Sequence, residues 1–265
     1  MKPVRQLSFI PLLCLCAIYG AAADANTATD LSALPAAAQS SISAALGSRL
    51  AGLNLYPDSL MQLAQLTASD GVQPDSLGWS VAMSGNTIVL TGLGTSAYVF
   101  VKPQTGWANM TQAAELTTSN GATLGGRCVA ISGNVIVVGA PLATVGQNSY
   151  QGAVYLYVEP DGGWTNMTET AELTASDGLV GGQLGTSVAI SGNTAVAGAS
   201  FASHGGGPAA YVFTRPEGGW TNTTQTAELS PSDGSVLAPS VAIAGKTIVA
   251  GWTYRSAAYV FIEPA

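Results

Sequence analysis

The stretch SVAISGNTAVAGA, Ser187 to Ala199, recurs in close variants at Ser80 to Gly92, Cys128 to Ala140 and Ser240 to Trp252. A second phrase, ELT or a near relative of it, places Leu66, Leu116, Leu173 and Leu229 at spacings of roughly 50, 57 and 56 residues. Periods of this length mark arrays of one supersecondary unit, each copy too small to bury its apolar face without neighbours. The repeat limits the fold more than any other property of the chain.

Each unit holds four strand-like pieces. In the third copy the first two are SVAIS and TAVAGA, small apolar runs flanking a Ser-Gly-Asn turn, which predict a tight antiparallel hairpin. The third is AYVF at Ala210 to Phe213, closed by RPEGG, whose Pro and paired glycines mark a turn. The fourth is expected to run from Trp220 through TNTTQTAELS, with Asn222, Thr224 and Glu228 on a wet side and Ala227 and Leu229 on a dry one. Four antiparallel strands recurring radially describe the blade of a β-propeller. The expected fold class is therefore all-β, a propeller of about four four-stranded blades. The repeat region opens on a fourth strand, MQLAQLT at 61–67, and stops on a third, AAYVFIEPA at 257–265. Pairing of 61–67 with the last blade would close the ring, the alternative being an open arc.

Three segments are expected. Residues 1–25 read as a secretory signal peptide: Lys2 and Arg5 precede the apolar FIPLLCLCAIYG, and AAADA offers small-residue cleavage sites. Residues 26–60 read as a linker with a short helix from about Ala36 to Leu46, Pro35 suiting its start and Gly47 its end. Residues 61–265 are the repeat region. The expected location is secreted, extracellular or periplasmic, and no later apolar run approaches the ~20 residues of a membrane span. A formal charge of −7 argues against nucleic acid and anionic membrane as partners.

Several motifs resemble a known family. VGAP at Val138 to Pro141, the pairs Leu77-Gly78 and Leu184-Gly185, and the recurring ELTASDG and GGWTNMT phrases are similar to bacterial extracellular FG-GAP repeat proteins, relatives by repeat of the integrin α-chain propeller. The resemblance implies blades of roughly 55 residues used outside the cell for binding or adhesion. The chain departs from that pattern in its FG pairs, where Leu77, Gly125, Leu184 and Leu237 replace Phe and Ala238 replaces the last glycine. It also departs at the calcium loops of the integrin type. Ser84-Gly85-Asn86, Ser132-Gly133-Asn134, Ser191-Gly192-Asn193 and Ala244-Gly245-Lys246 stand at that place without a carboxylate, whereas Ca²⁺ needs six to eight oxygens. No metal or other cofactor is therefore expected.

The residues of types that carry chemistry elsewhere read more simply as structure. His204, the only histidine, lies in a Gly-rich loop with no metal-spaced partner. Without another base there is no nucleophilic triad. Cys128 holds the place of Ser80, Ser187 and Ser240 and reads as a small buried side chain. Asp70, Asn120, Asp177 and Asp233 each precede glycine; they suit Asx turns, with a ring of cation-binding carboxylates as the alternative. Asn109, Asn166 and Asn222 start Asn-x-Thr sequons that read either as glycan acceptors or as the polar side of an outer strand. Trp107, Trp164 and Trp220 are expected to pack that strand. No catalytic residue is assigned, and the chain reads as a non-enzyme.

Spacing within the first hairpin and from third to fourth strand is fixed, while the second-to-third and blade-to-blade connections vary. Both variable kinds emerge at one end of an up-and-down blade. The expected binding face is thus 141–152, 200–208, 93–96 and 253–256, on a rigid scaffold. The expected function is recognition of a protein or glycan. The alternatives are a structural or assembly module that homo-oligomerises through blade edges and, behind it, a glycan-active hydrolase.

Overall fold

The computed structural model describes residues 62–70, 76–124, 128–201, 207–232, 240–252 and 257–263. The expected signal peptide, linker and short helix, together with His204 and Asp233, lie outside the described residues. All described residues belong to one compact unit, Gln62–Ala265.

That unit is all-β. Its strands are β1 Leu66–Thr67, β2 Ser80–Ser84, β3 Thr87–Thr91, β4 Ala97–Val101, β5 Met110–Thr111, β6 Ala114–Thr117, β7 Val129–Ser132, β8 Val135–Ala140, β9 Ala153–Val158 and β10 Met167–Thr168. They continue as β11 Ala171–Thr174, β12 Ser187–Ser191, β13 Thr194–Ala199, β14 Ala209–Thr214, β15 Thr223–Thr224, β16 Ala227–Leu229, β17 Val241–Ala244, β18 Thr247–Trp252 and β19 Ala257–Ile262. Four antiparallel sheets follow in chain order, built on β2-β3-β4-β6, β7-β8-β9-β11, β12-β13-β14-β16 and β17-β18-β19. The first strands of consecutive sheets lie side by side.

The predicted hairpin forms in every unit. Ser84 pairs with Thr87, Ser132 with Val135 and Ser191 with Thr194, leaving a two-residue turn. Gly85, Gly133, Gly192 and Gly245 take φ values of 55–58° while the following residue does not, the pattern of a II′ turn with glycine first. The second turn residue's carbonyl then accepts a bond from the end of the third strand: Lys102, Glu159, Arg215 and Glu263 donate to Asn86, Asn134, Asn193 and Lys246 at 2.8–2.9 Å. The turn tips are thus consumed by structure.

The fourth strand differs from its expected form. It is two short strands that belong to different sheets. In the third unit, β16 pairs antiparallel with β14 of its own sheet, whereas β15 pairs in parallel with β11 of the preceding sheet. The same division recurs with β10 on β6 and with β5 on β1. Each of the first two sheets therefore gains a fifth strand from the next unit. The continuous alternation in TNTTQTAELS concealed the break. The segment changes sheets between Thr224 and Ala227 without losing its polar-apolar rhythm.

The expected pairing of 61–67 with the last sheet is not among the strand pairings of the described residues. Leu66 and Thr67 pair with Met110 and Thr111, and the last sheet has three strands among the described residues. The segment carries the same pairing signals as AELT and takes the MT strand some 44 residues on, as β6 takes β10.

The core lies between sheets. Val89, Val99, Leu116, Ile136, Tyr155 and Tyr157 fill the first junction. Val137, Leu156, Leu173, Ala197, Tyr211 and Phe213 fill the second. Trp164 and Trp220 are buried as well, in keeping with a packing role.

Candidate functional site

Two ends of the sheets can be compared, and they differ. One carries the II′ turns and a second set of turns in which Gly106, Gly163 and Gly219 donate to Pro103, Pro160 and Pro216 at 2.9–3.0 Å. These repeat from unit to unit. The other end carries the connections of variable length, and there the structure brings the segments 141–152 and 175–186 together.

Those segments form one hydrogen-bonded body. Gly181, Gln183 and Leu184 donate backbone N–H groups to the carbonyls of Ser149, Tyr150 and Gln151 at 2.9–3.0 Å. Asn148 Nδ2 donates to Gln151 Oε1 and to the Gly178 carbonyl. The buried Gln151 reaches the Ala175 carbonyl. Phe201 donates its N–H to Gly182, adding the following connection to the same body. A loop this thoroughly bonded is a rigid platform. Segment 141–152 is therefore fixed to its neighbour instead of hanging free.

Apolar side chains stand exposed on this platform. Leu142, Tyr150, Val180 and Phe201 are exposed, although the segments that carry them are bonded to one another. Tyr150 and Gln183 also hold φ of 56°, a left-handed conformation unusual for residues other than glycine, asparagine and aspartate. Such strain survives where the surroundings over-determine the backbone, and it clusters at ligand-holding sites. Of the other expected loops, Leu93 is exposed, and 202–206 and 253–256 lie outside the described residues.

The sequence-marked polar residues have other work. Asn109, Asn166 and Asn222 each accept, through Oδ1, the backbone N–H of the preceding unit's Gln65, Glu115 or Glu172 at 2.8–2.9 Å. Three residues on, Gln112, Glu169 and Gln225 accept the N–H of Ser69, Ser119 and Ser176. The Asn-x-Thr motif is thus half of an Asn-x-x-Gln/Glu clamp between sheets. Sequence spacing contained this signal, since the polar pair recurs in three units.

Asp70 and Asp177 likewise serve a junction. The Tyr98 hydroxyl donates to Asp70 at 2.7 Å and that of Tyr211 to Asp177 at 3.0 Å; Tyr155 differs, its hydroxyl accepting from Asn120 Nδ2 at 2.9 Å and donating to Glu172 Oε1 at 3.2 Å. The expected Asx turn is present at Asn120, whose Oδ1 accepts the Ala122 N–H. The tyrosine partnership was not legible, because it joins residues 28–35 positions apart. Burial pushes the hydroxyls of Tyr155 and Tyr211 above their ordinary range, and the Asp177 charge adds to the shift at Tyr211. These tyrosines are held neutral, as donors.

Cys128 occupies a packed junction too. Its Sγ donates to the Gly185 carbonyl at 3.0 Å, and burial pushes its thiol up to about 12. At neutral pH it carries no thiolate. The Leu184-Gly185 pair sits directly on Gly139 of the VGAP motif: a Cβ on Gly139 would overlap the Gly185 carbonyl, and one on Gly185 would stand 2.6 Å from the Ala153 oxygen. Both glycines are required by close backbone approach across the junction, a reading available from the coordinates but not from either motif alone.

Among the described residues no group of three or more His, Cys, Asp or Glu is placed to hold a metal ion, and no helix is long and apolar enough to cross a membrane.

These junctions belong to a known class of repeat. The pattern of the FG-GAP repeat family matches residues 60–100, 110–157 and 167–213, over half of the chain, and the protein is a member of that family. Its LG and VGAP phrases form the glycine seat just described. No curated protein matches the sequence. Among solved structures, the chain is similar to the computationally designed Ika4 protein, at 16% identity over 77% of this chain and 99% of that one, with a TM-score of 0.41. It is also similar to the computationally designed Ika8 protein, at 14% identity over 69% of this chain and 57% of that one, with a TM-score of 0.35.

Proposed function

We propose that this FG-GAP repeat protein is a non-enzymatic binding or adhesion module of propeller type, holding a protein or glycan on the end that bears the variable connections. The observation that carries the reading is the platform of 141–152 and 175–186, joined by backbone hydrogen bonds to each other and to Phe201, on which Leu142, Tyr150, Val180 and Phe201 remain exposed. Exposed apolar residues on a rigid base lose little conformational entropy on binding, and aromatic side chains can stack on sugar rings or fill a protein pocket. The charged start and apolar run within residues 1–25 support action outside the cytoplasm.

Nothing in the reading requires a cofactor. The II′ turns supply no carboxylate, and the aspartates at the junctions already accept tyrosine protons.

The test is retention on a printed array of purified polysaccharides and extracellular-matrix proteins, comparing the parent chain with a Tyr150→Ser/Phe201→Ser variant. Both positions are exposed, so the variant should unfold at the parent temperature while losing retention on every surface the parent binds. Equal retention by the two proteins, or none by the parent, defeats the proposal.

A further inference from the structure

The interior junctions show what each sheet expects of its neighbours. On the side facing the preceding unit, a sheet offers the first-strand row Val129/Ile131 or Val188/Ile190 and, in the third unit, the LG glycine Gly185. On the side facing the following unit it offers the third-strand row, Val99, Leu156 or Val212, and, in the second unit, the GA glycine Gly139. Val99, Val129, Leu156, Ile190 and Val212 are buried, with Val129 8% and Leu156 0% exposed, and Ile131 and Val188 are partly buried against them.

The outer sides of the first and last sheets carry the same rows uncovered. Val81 and Met83, counterparts of Val129 and Ile131, are 63% and 64% exposed. Val260, counterpart of Leu156, is 64% exposed, and Ile262 beside it is 74% exposed. The glycines agree. A Cβ on Gly185 would collide with the neighbouring sheet, but one on its counterpart Gly78 would meet nothing within 4 Å. A Cβ on Gly139 would collide with the next unit, but one on its counterpart Gly251 would come no nearer than 3.6 Å to anything. These are the two halves of one junction, located at opposite ends of the repeat array.

We propose that a second copy of this chain supplies the missing half: Gly78 and the Val81/Met83 row of one copy seat on Gly251 and the Val260/Ile262 row of the other. The Ser240 hydroxyl, at the place of Cys128, then donates to the Gly78 carbonyl as the Cys128 thiol does to Gly185. The same equivalence brings segment 64–66 alongside β19 as a fourth strand. In the three complete sheets the register is Ala97↔Leu116, Val154↔Leu173 and Ala210↔Leu229. The corresponding pairs across copies are Ala258 with Leu66, Tyr259 with Gln65 and Val260 with Ala64. The occupant is this chain because the side chains of each open face repeat those that mate at the interior junctions, and both rows are uncharged. The contact is head-to-tail, so two copies present two such junctions and close with eight sheets, within the usual range of propeller rings.

Light scattering on the full chain should give twice the single-chain mass. Gly251→Val blocks one face and Val81→Lys the other; neither position is crowded in the single chain, so each variant should keep the parent's circular dichroism and run at half the parent mass. Mixed together, the two variants should recover a two-chain species, because each retains the face the other lacks. Should Gly251→Val not fold, Ile262→Asp takes its place. The proposal is overturned by a parent that stays a single chain up to its solubility limit, by either variant alone keeping the doubled mass, or by a mixture that does not associate.

Discussion

Asn166 Oδ1 accepts the backbone N–H of Glu115 at 2.9 Å, across the junction between two sheets. The bond holds β10 in parallel against β6, so that a side chain of one unit completes the backbone pairing of another. Asn166→Ala removes this acceptor and should lower stability by about 1 kcal/mol. For a domain of this size the thermal midpoint should fall by about 2–4 °C. An unchanged midpoint would show that water replaces the side chain at no cost.

The seat of Gly185 on Gly139 is less forgiving. Gly139→Ala drives a methyl group into the Gly185 carbonyl and toward the Cys128 sulfur, and backbone must shift to admit it. Overpacking of this kind should cost about 2–3 kcal/mol. Gly162→Ala, where a Cβ meets nothing within 4 Å, is the control and should be near neutral. Chemical denaturation of the two variants side by side measures the difference.

The junction tyrosines make stability depend on alkaline pH. Burial raises the hydroxyl of Tyr211 above the ordinary value near 10, with Asp177 adding to it, and Tyr155 and Tyr157 are raised by burial as well. Their folded forms keep the proton after the unfolded chain has released it. Their contribution is therefore complete below about pH 10 and is lost progressively above it. Thermal midpoints should be insensitive to these groups through pH 9 and fall beyond about pH 10. Tyr211→Phe should flatten that fall, at a cost from the lost Asp177 bond, and an equally steep fall in the variant would exclude Tyr211 as a contributor.

At Tyr150 stability and binding should separate. Its φ of 56° suits glycine, so Tyr150→Gly relieves backbone strain while removing the exposed ring. The expected outcome is a thermal midpoint no lower than the parent's, with weaker retention on the array.

Cys128 should be inert in the folded protein. With its thiol at about 12, a maleimide at neutral pH should label it only after denaturant is added. Rapid labelling of the native chain would contradict the geometry of its bond to Gly185.

Much of this architecture was legible in the sequence. The Ser-Gly-Asn turns, the AYVF strands and the division into one variable and one uniform end follow from spacing and turn chemistry, which act over a few residues. What was hidden depends on contact between units. TNTTQTAELS alternates without interruption, so nothing local marks where β15 leaves one sheet and β16 enters the next. Nor does DG announce a tyrosine in the following unit. The platform was located only by the length of its connections. Its exposed members, Tyr150 and Phe201 among them, were separated from other loop residues by the backbone bonds that fix them.

The division of the fourth strand bears on how such a chain can change its length. Because each of the first three units sends β10-like residues backward and keeps β11-like residues for itself, the repeat counted along the polypeptide is out of phase with the sheet counted in space. A recombination event at equivalent positions of two of these units brings a Met-Thr or Thr-Thr pair against an upstream Leu-Thr and regenerates a complete junction. Duplication or loss of one period therefore lengthens or shortens the array without requiring any compensating mutation at the scar.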